Sequence, residues 1–380
     1  MYKRYLEPQI IKSLEDGLVV IIYGARQVGK TTLARMVMSN YQTSLYINAD
    51  EVTERLRLQN KGSHELKDYF GDADIVVIDE AQRVENIGLT AKIVHDTYPT
   101  IKLLITGSSS LDLASKIKEP LTGRSWEYTL YPLSLDEVAA TNQEKESAMN
   151  RALIYGSYPG TWTMSIDQTS KRLRLLATNY IYRDAFALQT IFDDTVMYNL
   201  LQLLAFQFGN EVSYNELATT LQISRDTVMR YVDLLEKARI IYRLRQYRRN
   251  ERTVIGKLRK VYFYDLGVRN GLVDNFKPLQ FRADRGALWE NFCLNERQKS
   301  QQRAQHYVRQ FYWRNRSKQE IDLIEESSNT LKAFEFKLSS NKTVTSPKSF
   351  QELYPDTKLQ VMSPDNFITL LTKEYPYIIV

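Results

Sequence analysis

At 380 residues the chain is long enough for two or three domains of ordinary size. Apolar residues make up 43% and charged residues 25%, which excludes global disorder. The longest apolar runs, Leu18–Tyr23 and Ile75–Ile78, are strand-sized and fall short of the roughly 18 residues of a membrane-spanning helix.

One cysteine, Cys293, excludes an internal disulfide and a cysteine-rich zinc site, and three histidines leave no histidine-based metal centre. The amino-terminal stretch is charged and lacks a signal-peptide core, so a reducing cytoplasm and no membrane association are expected. The net charge of +6 is unevenly placed. Between Arg225 and Lys260 there are 12 Lys/Arg against 4 Asp/Glu, leaving the remainder slightly acidic. A local basic excess of this kind is the footprint of a polyanion partner.

Up to about residue 165, short apolar runs alternate with amphipathic stretches. Runs 18–24, 44–50, 74–80, 102–108 and 125–133 read as strands. Three are almost continuously apolar, as strands buried on both faces are, so the fold class is α/β with a parallel sheet covered by helices. From about 166 to 238 the pattern is helical. Two strand-like runs follow, 238–247 and 260–265, joined by a basic loop. A Gly- and Pro-bearing segment at 271–282 marks a boundary. Beyond it come a helix near 284–299 and strands near 307–314, 320–326 and 331–338. The predicted organisation is three domains, 1–165, 166–270 and 271–380. No repeat of 20–50 residues is present, which excludes a solenoid or propeller.

Gly24-Ala25-Arg26-Gln27-Val28-Gly29-Lys30-Thr31 fits G-x-x-x-x-G-K-[ST], between an apolar strand and a helical run that starts with Thr31 and Thr32. In such a loop backbone N–H groups surround phosphate oxygens, and the helix N-terminus adds its positive end. Lys30 is expected on the β/γ phosphates and the Thr31 hydroxyl on Mg²⁺. The strand Ile75–Ile78 ends in Asp79 and Glu80, the first expected to hold Mg²⁺ through water and the second to polarise an attacking water. The run 103–110 ends in hydroxyls, so Ser108 or Thr106 is a candidate for sensing the γ-phosphate. No Asn/Thr-Lys-x-Asp guanine signature occurs, which favours ATP over GTP. Arg124 is a candidate arginine finger. Arg26 is a loop residue that either folds over the nucleotide or points to solvent.

Residues 213–240 have the form of two helices around a tight turn. Ser213 and Glu216 form a capping box before Leu217, the first helix ends near Leu221, and Ser224 caps the second. Val228, Tyr231, Val232 and Leu235 share one helical face, leaving Arg225, Thr227 and Arg230 for a groove. The strand pair that follows is then a wing whose tip carries Arg248, Arg249 and Arg252. Nucleic acid, DNA first, is the expected partner, with a second copy or another protein as further partners.

Asp322, Glu335 and Lys337 fall on two neighbouring strands, with Glu335 and Lys337 on one face at period two. The upstream helix brings Glu290 towards them. Such oxygen ligands suit Mg²⁺, and a lysine beside them serves to orient or deprotonate a water, as in a nuclease. An ion-pair network accounts for the same residues.

The motifs GARQVGKTTL (24–33), VVIDEAQRV (76–84), LLITGSSSL (103–111), LTGRSWEYTLYPLSLDEV (121–138), YGSYPG (155–160), YIYRDAF (180–186), KVYFYDLGV (260–268), EIDLI and EFK run along nearly the whole chain. Together they resemble the prokaryotic proteins that join an AAA-type ATPase domain to a carboxyl-terminal domain of uncharacterised function. The resemblance implies a P-loop domain of the additional-strand class, then a winged helix, then a fold similar to the PD-(D/E)XK nucleases. It implies phosphate and Mg²⁺ roles for Lys30, Thr31, Asp79 and Glu80. It matches Asp322, Glu335 and Lys337 to the nuclease-like triad, with Glu290 as the helix carboxylate. Ile321-Asp322 stands where that family has Pro-Asp. The expected function is an ATP-hydrolysing switch that engages nucleic acid. An ATP-gated, Mg²⁺-dependent nuclease and a non-enzymatic ATP-binding regulator are the alternatives.

Overall fold

The five apolar runs form β1 (Val19–Gly24), β2 (Ser44–Asn48), β3 (Ile75–Asp79), β4 (Lys102–Gly107) and β5 (Ser125–Leu130). The computed structural model describes residues 2–107, 120–184, 193–248, 259–328, 330–339 and 345–375. All five strands are parallel, in the order β2-β3-β4-β1-β5. Strand β4 lies between β1 and β3, the additional-strand arrangement. The three central strands are buried along almost their whole length, while β2 and β5 at the edges are only partly covered. This burial is why the central sequences are continuously apolar.

Alternate residues serve two faces. Val19, Ile21 and Tyr23 of β1, Val76 and Ile78 of β3 and Leu103 and Ile105 of β4 join one core with Ile87, Ala91 and Val94 of the helix Ile87–Thr97. The helices Leu6–Glu15 and Lys30–Met38 also pack on the sheet. Parallel strands end at a common rim, where Gly107 pairs with Tyr23, the residue before Gly24, and Asp79 follows the Ile78–Ile105 pair.

The remaining strands are β6 (Glu211–Val212), β7 (Ile241–Gln246), β8 (Arg259–Phe263), β9 (Arg309–Arg314), β10 (Glu320–Ser327), β11 (Thr330–Phe336) and β12 (Leu359–Met362). They form a single seven-stranded sheet in the order β12-β11-β10-β9-β7-β8-β6. Strands β6, β8 and β7 are antiparallel neighbours, and β7 pairs in parallel with β9 through Arg245–Phe311 and Gln246–Tyr312. The strand pair expected to form a wing therefore has its outer edge covered.

Two predicted boundaries need correction. The described residues form two compact units, the first built mainly on the chain up to Pro132 and the second on most of the chain from Leu133 onward. Residues near 133–165 belong with the second unit because Leu133 N–H donates to Ser157, Ser157 N–H donates to Asp265, and Asn270 donates to the carbonyls of Leu153 and Ile154. The segment 271–282 is a chain reversal inside that unit. Arg282 is buried there and ties Asn275, Asn270 and Asp284 together. Gly and Pro mark the turn, and strand pairing across it joins what the sequence suggested were separate domains.

The two-helix element forms as read. The helix Tyr214–Leu221 is capped by Ser213, and Ser224 caps the helix Arg225–Lys237, which buries Val228, Tyr231, Val232 and Leu235. The reciprocal arm of the capping box is replaced, because the Glu216 carboxylate accepts from Gln207 Nε2 at 3.3 Å.

Candidate functional site: a phosphate loop at the sheet rim and a charged cluster on the second sheet

The loop after β1 has two backbone requirements. A Cβ on Gly24 would lie 2.8 Å from the carbonyl oxygen of Leu130, so β5 passes too close for any side chain. Gly29 has φ +100°, a conformation glycine adopts without strain, at the entry of the helix Lys30–Met38. Lys30 is buried, and its ammonium donates to the carbonyls of Gly24 at 3.0 Å and Ala25 at 3.1 Å. The loop thus curls around its own cation. Ala25 and Val28 are buried, Arg26 and Gly29 half-buried and Gln27 exposed.

Asp79, at the carboxyl end of β3, is 4% exposed and accepts three hydroxyl bonds. Thr31 Oγ1 donates to Oδ2 at 2.6 Å, Tyr46 donates to the same oxygen at 2.6 Å, and Thr106 donates to Oδ1. Bonds to a charged acceptor are worth roughly 1.5–3 kcal/mol each, so they hold the carboxylate firmly beside the loop. Burial raises the Tyr46 pKa, and the bond to Asp79 raises it further, keeping the hydroxyl a donor. The Arg35 guanidinium lies 5.1 Å from the Tyr46 ring centroid. Thr31 and Asp79 together present the hard oxygens a divalent cation prefers.

Glu80 follows in the left-handed conformation, φ 54° and ψ 40°, which costs a non-glycine residue about 1–2 kcal/mol. Its carboxylate is half-buried and accepts from Gln82 Nε2. The strain turns the chain just past the rim and keeps an acid there.

Not every predicted residue joins this site. Arg124 precedes β5, at the opposite rim of the parallel sheet. Ser125 pairs with Val19 and Leu130 with Gly24, so Arg124 stands six residue steps, about 20 Å, from the level of the loop. Its guanidinium instead pairs with Asp96 at 2.8 Å. A finger role within the same chain is therefore corrected to a surface ion pair. Ser108 lies outside the described residues; Thr106 is turned to Asp79.

Two contributors escaped the sequence reading. Tyr46 is on the neighbouring strand β2, and a tyrosine in an edge strand carries no motif. Arg4 is buried, and donates to the carbonyl of Val28 at 3.1 Å and that of Tyr131 at 2.6 Å. It holds a loop carbonyl outward, which favours N–H groups facing inward. Arg4→Ala should weaken nucleotide binding about tenfold, the equivalent of one lost bond near 1.4 kcal/mol. Equilibrium titration with a fluorescent ATP analogue checks this, and an unchanged Kd refutes it.

On the second sheet, Asp322, Glu335, Lys337 and Glu290 do come together. Leu323 pairs with Phe334, which sets Asp322 beside Glu335 across β10 and β11. Asp322 Oδ2 accepts from the Phe336 N–H at 2.8 Å, and Lys337 Nζ lies 2.5 Å from Glu335 Oε1. Burial, then Glu290 and Glu335, push the Asp322 pKa well up. Lys260, unnoticed in the sequence, lies among them. It is 2% exposed and bonds Glu290 at 3.0 Å and Glu320 at 2.5 Å, while Tyr262 also donates to Glu290. A lone lysine in the apolar run KVYFYD was the available signal. Among the described residues no three acidic, histidine or cysteine groups converge to hold a metal ion, so the expected Mg²⁺ set of Glu290, Asp322 and Glu335 is not assembled.

The basic window is thinner than its composition suggests. Lys260 is internal, and Arg243 is committed to Glu236 and Asp233. Arg225, Arg230 and Arg245 are exposed and Arg248 is half-buried, bonded to Gln246. Burial, then the charges of Arg243 and Arg245, hold the Arg259 pKa below its ordinary value, so positive charge is crowded here. Arg249 and Arg252 lie outside the described residues.

Residues 16–139 match the model of an AAA domain, and they form an AAA-type P-loop NTPase domain. Residues 146–279 and 285–377 match two further models, each described as a domain of unknown function, DUF8612 and DUF4143. The uncharacterised protein Rv2008c of Mycobacterium tuberculosis is 28% identical over 351 residues, covering 90% of this chain and 75% of its own. The uncharacterised protein MJ1637 of Methanocaldococcus jannaschii is 26% identical over 314 residues, covering 70% and 65%. Among solved structures, the Walker-type ATPase PABY2304 of Pyrococcus abyssi is similar with a TM-score of 0.50 at 16% identity, covering 72% of this chain and 96% of its own, a likeness of fold. No helix among the described residues is long and apolar enough to cross a membrane.

Proposed function

We propose that the chain is a Mg²⁺-dependent ATPase whose nucleotide state alters how its helix-turn-helix element engages nucleic acid, DNA first. The observation that carries the first half is the hydrogen bond from Thr31 to Asp79 at the mouth of a loop closed on Lys30. On this reading Lys30 leaves its two carbonyls for the β/γ phosphates, and Gly24–Thr32 supplies N–H donors. Thr31 and Asp79 are the residues that would hold Mg²⁺, which would offset the negative charge of the phosphates. Glu80 orients the attacking water, and Tyr46 and Thr106 keep the Asp79 carboxylate aimed at the loop.

The second half rests on the order β6-β8-β7 beside the helices Asp194–Gln207, Tyr214–Leu221 and Arg225–Lys237, which is the order of a winged helix. Arg225 and Arg230 on the exposed face of the last helix then meet phosphates. The restriction-endonuclease-like reading of β9–β12 has support in the meeting of Asp322, Glu335 and Lys337. Nuclease activity has less, because Lys260 stands among the carboxylates. A cytoplasmic setting and assembly with further copies remain parts of the same proposal.

The test is whether affinity for mixed-sequence DNA changes with nucleotide. Arg225→Ala with Arg230→Ala should lower that affinity and reduce the slope of log K against log salt by about 1.8, roughly 0.9 for each phosphate no longer neutralised. An unchanged slope removes these two arginines from the interface.

A further inference from the structure

Four carboxylates, Glu290, Glu320, Asp322 and Glu335, gather within the second unit, and three of them were expected to share a metal ion. Each has a different occupation. One Glu290 oxygen takes both the Lys260 ammonium, at 3.0 Å, and the Tyr262 hydroxyl. Glu320 lies 2.5 Å from Lys260 through Oε1 and 3.6 Å from Arg314 through Oε2. Asp322 is held by the Phe336 N–H and Glu335 by Lys337, while Glu335 Oε2 is buried without a partner. Glu335 is buried and the other three are half-buried, and carboxylates withdrawn from water in this way need a compensating charge, since an uncompensated buried ion costs several kcal/mol.

Lys260 supplies it from an unexpected direction. It lies on β8, next to β6 and β7, and reaches over the Tyr312 ring of β9, 5.7 Å from its centroid, to Glu320 on β10. The pairing of β7 with β9 brings this lysine into the cluster. An ammonium offers three donors and one charge, where a magnesium ion would take six oxygens in a tight shell.

We propose that the Lys260 ammonium is the resident cation of this cluster, standing where a divalent ion would otherwise sit, so that the site takes no divalent metal. The cluster then works as an internal ion lock joining β8 to β10 and the helix Arg285–Arg303. This inference does not depend on ATP hydrolysis, which concerns the other unit.

Mn²⁺ titration of the full-length, nucleotide-free chain, followed by the electron paramagnetic resonance of free Mn²⁺, tests it. Wild type and Glu335→Gln should give superimposable isotherms. Lys260→Met should gain one site about tenfold tighter than any in wild type, because Glu290 and Glu320 would then lose the cation between them, beside Asp322 and Glu335. That site should vanish in Lys260→Met combined with Glu335→Gln. A wild-type site that Glu335→Gln removes overturns the proposal, and this arm needs no change at Lys260. Should Lys260→Met be unstable, Mn²⁺ raising its melting temperature but not that of wild type supports the proposal; Mn²⁺ stabilising both equally overturns it.

Discussion

Replacing Glu80 with glutamine should reduce ATP turnover about 10²–10⁴-fold, the usual contribution of a positioned general base, while ATP affinity stays within about threefold of wild type. The expectation follows from place and shape. Glu80 is held in a strained backbone conformation one residue beyond Asp79, and its carboxylate is half-buried beside Gln82. Glutamine is isosteric and inherits the same backbone position, so the loop, Lys30 and the Thr31–Asp79 hydrogen bond remain. Only the negative charge and proton-accepting capacity are removed. Loss of turnover with binding intact assigns Glu80 to the chemical step. Turnover within threefold of wild type contradicts that role.

Arg297→Leu should cost the second unit about 3–5 kcal/mol, the penalty of stranding a buried partner charge. Arg297 is fully buried, with Nε 2.8 Å from Glu325 Oε1, Nη2 2.6 Å from Oε2 and Nη1 2.7 Å from Glu374. Its guanidinium lies 3.9 Å from the Phe334 ring centroid. The substitution leaves Glu325 without its cation, and at roughly 2–4 °C per kcal/mol for a unit of this size the melting temperature should fall by about 6–20 °C. Burial alone would raise the Glu325 pKa, but the charge and hydrogen bonds of Arg297, with Gln310 and Tyr375, outweigh it and hold the value down. The stability this contributes is fully present above the unfolded carboxylate pKa of about 4.3 and is lost as pH falls through the lower folded value. The wild-type advantage over Arg297→Leu should therefore narrow below about pH 4. Thermal unfolding across pH 3–7 checks both expectations, and a shift under about 2 °C at pH 7 contradicts the first.

What the sequence revealed depended on how local each cause was. β1, β3 and β4 were readable because strands covered on both faces are continuously apolar. The phosphate loop was readable because Gly24 and Gly29 answer to backbone geometry within eight residues. The capping by Ser213 and Ser224 was local as well. Arg124 misled because a motif beside a strand does not reveal which rim of a parallel sheet it reaches. Arg4, Tyr46 and Lys260 were missed for a shared reason: each acts across strands or loops far away in the chain. Lys260 and Glu320 are brought together only by the β7–β9 pairing, and that pairing also removed the expected boundary near 270.

Coupling between nucleotide state and nucleic-acid engagement is the property on which the proposed function stands. The most direct measurement is the equilibrium affinity of the Glu80→Gln protein for one mixed-sequence DNA duplex, by fluorescence anisotropy at fixed salt, with ATP and Mg²⁺, with ADP and Mg²⁺, and without nucleotide. The substitution keeps ATP from being consumed during the titration. Affinities should differ between states by about 5–150-fold, the usual range of a coupling free energy. Equal affinity in all three states contradicts the coupling, because a ligand that binds both conformations equally shifts neither.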